Sequence, residues 1–138
     1  MSDLQCPARL LLASPAEAGH EPDLADAVVG DRVARVWTSP TASAVRTAEA
    51  VAARLGVGVL VHEDLQDRSV GGETVAQAGV RVAAVLAEIA DAHRGEAVLV
   101  VSHARALRAA VPSTADLIDR VVVGLEGDAD GWVVLHRG

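Results

Sequence analysis

The strongest constraint on this chain is a repeated unit: a short apolar run that stops at a small polar segment, followed by an amphipathic stretch. The runs are Arg9–Ala13, Ala34–Thr38, Val57–His62 and Ala97–Val101. The last, "AVLVV", has no polar position at all, as a parallel strand covered on both faces requires. Strands alternating with helical patterns predict a layered α/β fold. The expected architecture is a three-layer sandwich: a mostly parallel sheet with helices on both faces.

Helix signals fill the intervals. A weak helix is expected over Glu21–Val29, after Pro22. Ser39-Pro40 reads as an N-cap and a first-turn proline. That helix should run to about Leu55, with Val45, Ala48, Ala52 and Leu55 on its core face and Gly56 as its stop. Glu63–Gly72 reads as a polar loop. Glu73–Ala92 carries a stripe of Val75, Val82, Leu86 and Ile89, with Gly95 beyond its end. A short helix is expected from Ala104 to Val111, stopped by Pro112. Arg120–Glu126 and Trp132–Arg137 flank "GDADG" and predict a C-terminal hairpin. A length of 138 residues fits a single domain over 1–138 with a core of its own.

Composition narrows the partners. Net charge is −7 and no basic cluster exists, so nucleic acid and anionic membrane surfaces are not expected partners. Trp37 and Trp132 are the only large aromatic residues, too few for base stacking. All twelve basic residues are Arg, and Lys, Asn, Phe and Tyr are absent, a skew that fits GC-rich codon usage. The lone Cys6 can form no internal disulfide and no cysteine-based metal site. No apolar run approaches a membrane span and no signal peptide is read, so a soluble, cytoplasmic protein is expected. No cofactor is expected. Glu17 with His20 offers too few ligands for a metal site, and "GDADG" is too short for a calcium loop.

In open α/β sheets, sites form at the carboxyl ends of strands. Three such ends stand out: "ASPAEAG" (13–19), "TSPTASAVRTAE" (38–49) and "VSHARALRAA" (101–110). The last two lead straight into helices, whose N-termini favour anions. In this order, with Leu65, Asp67 and Gly72-Glu73 between them, the stretches resemble the motifs of the histidine phosphatase superfamily, the phosphoglycerate-mutase-like fold. The resemblance covers nearly the whole chain. It implies a phosphate pocket in which a first-motif histidine attacks phosphorus and two arginines clamp the phosphoryl oxygens. A last-motif histidine stabilises the transferring group, and an acid in the middle loop protonates the leaving oxygen.

This sequence departs from that pattern at the positions that carry charge. The first-motif arginine falls on Ser14, the nucleophilic histidine on Pro15 and the second-motif arginine on Ser43. His103 keeps the last-motif histidine, and Asp67 is the candidate acid. Ser14, Ser39 and Ser43, with Arg46 and Arg105 as cations able to enter the vacated space, are candidate anion ligands. Arg46 follows Ser43 by three positions and so shares its helix face. The leading expectation is a superfamily member without phosphoryl transfer that binds phosphate, another small anion or a protein partner. One alternative is an active phosphohydrolase of small phosphate esters centred on His103, with Arg46 or Arg105 as clamp. Another is a hydrolase using Ser14 with His103 and Asp67, for which the sequence offers no "GxSxG" elbow.

Overall fold

The computed structural model describes residues 8–16, 19–66 and 73–111, together with the backbones of strands 123–128 and 131–135. Six strands form one sheet: β1 (Ala8–Ala13), β2 (Val33–Thr38), β3 (Gly58–Val61), β4 (Ala97–Val101), β5 (Val123–Asp128) and β6 (Gly131–Leu135). Their order is β3-β2-β4-β1-β5-β6. The first four are parallel; β5 and β6 are antiparallel, giving the expected C-terminal hairpin. Among the described residues, four α-helices connect them: α1 (Glu21–Val28), α2 (Ala42–Leu55), α3 (Val75–Ala92) and α4 (Ala104–Ala110).

The helices split between the faces because the chain reverses direction across the sheet. It steps from β1 through β2 to the β3 edge, then returns to place β4 between β2 and β1. Right-handed crossovers in opposite directions put their helices on opposite faces. Strand alternation supplies both cores. Leu10, Leu12, Val98 and Val100 face one way, with Val82, Leu86 and Ile89 of α3 and Leu107 of α4. Leu11, Ala13, Leu99 and Val101 face the other, with Ala25 and Val28 of α1 and Ala44, Ala48 and Val51 of α2. All five residues of β4 are buried, which accounts for its unbroken apolar sequence.

Several details differ from expectation, among them the start of α3 at Val75, two residues after the expected Glu73. Ser39 does not cap α2: Thr41 has the extended N-cap backbone, and the helix starts at Ala42. The amide of Ser39 still follows the sheet, donating to Val101 O at 3.0 Å. The buried face of α2 is rotated by one position, to Ala44, Thr47, Ala48, Val51 and Ala52, leaving Val45 and Leu55 half-buried. β3 is shorter than expected because the Val57 amide bonds Ala52 O as α2 ends at left-handed Gly56. Finally, Val75 is 49 % exposed, and the stretch taken as loop contains a 3₁₀ turn, Glu63–Leu65, whose Leu65 is fully buried. Leu65 rather than Val75 completes the core beside α3.

Candidate functional site

Strand register builds the site. Ala13, Val101, Thr38 and Val61 lie side by side across β1, β4, β2 and β3. The parallel ladder runs one residue further: Ser102 N–H donates to Ala13 O, Ser39 N–H to Val101 O and His62 N–H to Thr38 O. The residues just past the strands are therefore held in a row at one edge of the sheet. Ser14 follows β1, Ser39 follows β2, and Ser102-His103 follows β4.

Within this row His103 and Ser39 meet. His103 Nε2 lies 2.9 Å from Ser39 Oγ, and Ser39 Oγ lies 3.2 Å from Thr41 Oγ1. Ser39 is fully buried and His103 half-buried. Which partner donates depends on the imidazole tautomer, since a hydroxyl can turn to serve either nitrogen state. His103 also occupies the N-cap backbone position of α4, although its side chain does not cap that helix. The imidazole thus points across to β2.

Ser102 anchors the other side of the same backbone. Its hydroxyl, fully buried, donates to Leu65 O at 2.6 Å. The segment carrying that carbonyl is held a second time by Arg81 of α3, whose Nη1 donates to Asp64 O and Gln66 O. Arg81 Nε and Nη2 take the Glu73 carboxylate bidentately, at 3.0 and 2.7 Å.

The β1 side is built differently. Ser14 and Pro15 are half-buried. The following turn is fixed by α2: Thr47 Oγ1 accepts from Ala16 N–H at 3.0 Å and donates to Ser43 O at 2.9 Å. Arg46 Nη2 donates to Ala16 O at 2.9 Å, and its Nε pairs with Glu21 at 3.2 Å. Glu21 also accepts from Gly19 N–H at 2.9 Å. Its carboxyl is held below the usual range, first by its own backbone amide, then by that of Gly19 and by Arg46.

The structure therefore brings Ser39 and His103 into contact and places Ser14 on a neighbouring strand end. Ser43 lies in the first turn of α2, half-buried. The Arg46 guanidinium is engaged by Glu21 and Ala16 rather than reaching unpaired toward His103. Arg105 is exposed in the first turn of α4. Asp67 and Glu17 lie outside the described residues. His20 is exposed and sits 3.5 Å from Asp23. Among the described residues, no group of three or more His, Cys, Asp or Glu could hold a metal, and no helix is long and apolar enough to cross a membrane.

Sequence reasoning missed Ser102, Arg81 and Thr47. A serine directly before His103 was visible, but its acceptor lies 37 residues away. Glu73 and Arg81 are eight apart, beyond the three- or four-residue spacing that marks pairs on a helix. Thr47 did carry a local signal, since a threonine inside a helix commonly bonds the carbonyl four residues back.

The family model of the histidine phosphatase superfamily (branch 1) matches residues 22–72 and 66–117, together more than half of the chain. No curated protein matches. Among solved structures, YhfR of Bacillus stearothermophilus is 19 % identical, with a TM-score of 0.68 over 92 % of this chain and 95 % of that one. A mutant phosphoserine phosphatase from Entamoeba histolytica, in complex with phosphoserine, superposes with a TM-score of 0.76 at 11 % identity, covering 94 % and 96 %. A phosphoglycerate mutase from Plasmodium falciparum gives 0.69 at 12 % identity, covering 97 % and 92 %. At these identities the likeness is one of fold.

Proposed function

The chain belongs to the histidine phosphatase superfamily, and we propose that it is a member that binds a small phosphate-like anion at the strand ends around His103 without transferring a phosphoryl group. The observation that carries the reading is the 2.9 Å contact between His103 Nε2 and Ser39 Oγ across the ends of β4 and β2. It leaves an imidazole and hydroxyls, from Ser39 and Thr41, gathered beside the first turn of α2. Ser14, just past β1, and Ser43, in the first turn of α2, are further hydroxyls offered to this ligand. A phosphoserine phosphatase of the same fold has been seen holding phosphoserine, which supports a phosphate-like ligand.

The absence of turnover follows from the residue types. A phosphoenzyme needs a nucleophilic heteroatom, and Pro15 has none at the position the family gives to histidine. Stabilising a transferring phosphoryl group calls for aimed cations, and bidentate arginines supply them best. Ser14 and Ser43 stand where such arginines are expected, and Arg46 is engaged by Glu21. Arg105 remains as an exposed cation able to strengthen anion binding. Asp67 is the candidate proton donor should any ester be cleaved, in the alternative reading of an active phosphohydrolase.

The test combines binding with turnover. Inorganic phosphate should raise the thermal midpoint of the protein, following RT ln(1 + [L]/Kd), and His103→Ala should abolish the rise. Phosphate monoesters should not be hydrolysed. Hydrolysis that disappears in His103→Ala would overturn the proposal in favour of an active enzyme. Installing Ser14→Arg, Pro15→His and Ser43→Arg together should tighten phosphate binding, and an unchanged affinity would mean the pocket has lost its shape.

A further inference from the structure

Arg81 is the most fully employed side chain near the site. It bonds the carbonyls of Asp64 and Gln66 and closes a two-point pair with Glu73. Both partners of that pair are well covered, at 15 % and 14 % side-chain exposure. Between the two carbonyls it holds lies a third, Leu65 O, which accepts from Ser102. Three consecutive carbonyls are thus each held by a side-chain donor: Arg81 Nη1 holds two and the Ser102 hydroxyl, just past β4, holds the third. Ser102 is covalently joined to His103, and its amide is bonded to Ala13 O, the last residue before Ser14.

We propose that Arg81 is a positioning residue for the His103 site, acting through the Asp64–Gln66 carbonyls and Ser102. The inference rests on the reading of His103 as the centre of the site. Its physical basis is donor geometry. A guanidinium offers five N–H groups in a rigid plane, enough to grip a carboxylate with one edge and carbonyls with the other. The Ser102 hydroxyl has one proton to give, and Leu65 O takes it. Its rotamer therefore follows the placement of that carbonyl, and the peptide leading to His103 follows Ser102. A lysine has the charge but lacks the planar fork, so it cannot reproduce both edges at once.

The experiment uses the full chain, isotopically labelled, with the His103 imidazole resonances identified by their loss in His103→Ala. Arg81→Met should shift those resonances and weaken binding of inorganic phosphate about threefold to tenfold, as for coupled neighbours in one network. Arg81→Lys, the milder change should Arg81→Met fail to fold, should shift them in the same direction. Ser102→Ala should reproduce the shift, and the double variant should be no worse than either single one. Unchanged His103 resonances in a folded Arg81 variant, with only a lower thermal midpoint, would make the clasp purely structural and overturn the inference. Additive effects of the two substitutions would overturn the route through Ser102. Should wild-type protein bind no phosphate, the functional reading fails while the resonance shift still decides this one.

Discussion

The two helical layers hold the sheet by different means. On the α3–α4 face the helices and the 3₁₀ turn contribute large side chains: Leu65, Leu86, Ile89 and Leu107 are all within 1 % of full burial. On the α1–α2 face the helices contribute chiefly Ala and Val, with Ala25, Val28, Ala44, Ala48, Val51 and Ala52. The ion pairs show the same contrast. Arg81 is 15 % exposed and Arg46 48 % exposed, while their carboxylate partners Glu73 and Glu21 are about equally covered, at 14 % and 13 %. The site straddles this difference. His103 and Ser102 lead into α4 on the layer with the larger helix side chains; the turn after Ser14-Pro15 is tied to the lighter layer through Thr47 and Arg46. The imidazole is thus tied to the layer with the larger side chains and the β1 turn to the layer with the smaller ones.

The contrast breaks most visibly in the cores. Leu86→Ala should cost about 2–5 kcal/mol, because it removes buried carbons and leaves a cavity. Val51→Ala on the other layer deletes two carbons, worth about 1.6 kcal/mol at 0.8 per group. Urea midpoints of the two variants measure the difference, and equal losses would mean the layers are equivalent.

Next in size is a pair of glycines. A Cβ on Gly79 of α3 would lie 2.8 Å from backbone atoms of Ala109 in α4. Gly79→Ala should therefore force the helices apart and cost about 1–3 kcal/mol. A Cβ on Gly30, next to α1, meets nothing within 4 Å. Gly30→Ala should stay within about 0.5 kcal/mol of wild type. Since His103 is the N-cap residue of α4, Gly79→Ala should also disturb the His103 imidazole resonances, and Gly30→Ala should not.

Helix starts give a smaller effect. Thr74 accepts from Gln77 N–H while Gln77 returns a bond to Thr74 N–H, a reciprocal cap on α3. Thr74→Ala should cost about 1 kcal/mol. Neither His20 nor Thr41 caps α1 or α2 with its side chain. Thr41→Ala should leave helix stability nearly unchanged and act instead on Ser39, its hydroxyl partner. Thermal midpoints of the two variants separate the cases.

What the sequence made legible is what short range determines. Apolar runs located β1, β2 and β4 to within a residue at either end, and Gly56 and Gly95, both left-handed, marked the stops after α2 and α3. His103 stood out because it follows a wholly apolar strand. The pairings that give the site its form span 31 to 64 residues: Thr47 with Ala16, Ser102 with Leu65 and Ser39 with His103. They depend on strand order, and β4 lying between β1 and β2 is set by the crossover path rather than by any local pattern. Ser39 shows the limit best. Its local context reads as a helix cap, yet α2 starts at Ala42 and the hydroxyl meets His103 from the adjacent strand end instead.

The smallest expected effect lies on the lighter layer and depends on pH. The Glu21 carboxyl is lowered in the folded protein by its own amide, by the Gly19 amide and by Arg46. Unfolded, it should titrate near the free value of about 4.3. A carboxylate whose folded pKa is depressed stabilises the fold fully above its unfolded pKa, and the contribution fades as pH falls through the folded value. Glu21→Gln should therefore lower the urea midpoint at pH 7, and the gap to wild type should narrow as pH drops below the free glutamate range. The Ala16 turn should loosen with it, because Arg46 bridges Glu21 to Ala16 O. Amide exchange at Ala16 is the local readout: it should quicken in Glu21→Gln at pH 7 while exchange across α3 stays at wild-type rates. Equal quickening in α3 would mean that the two layers open together.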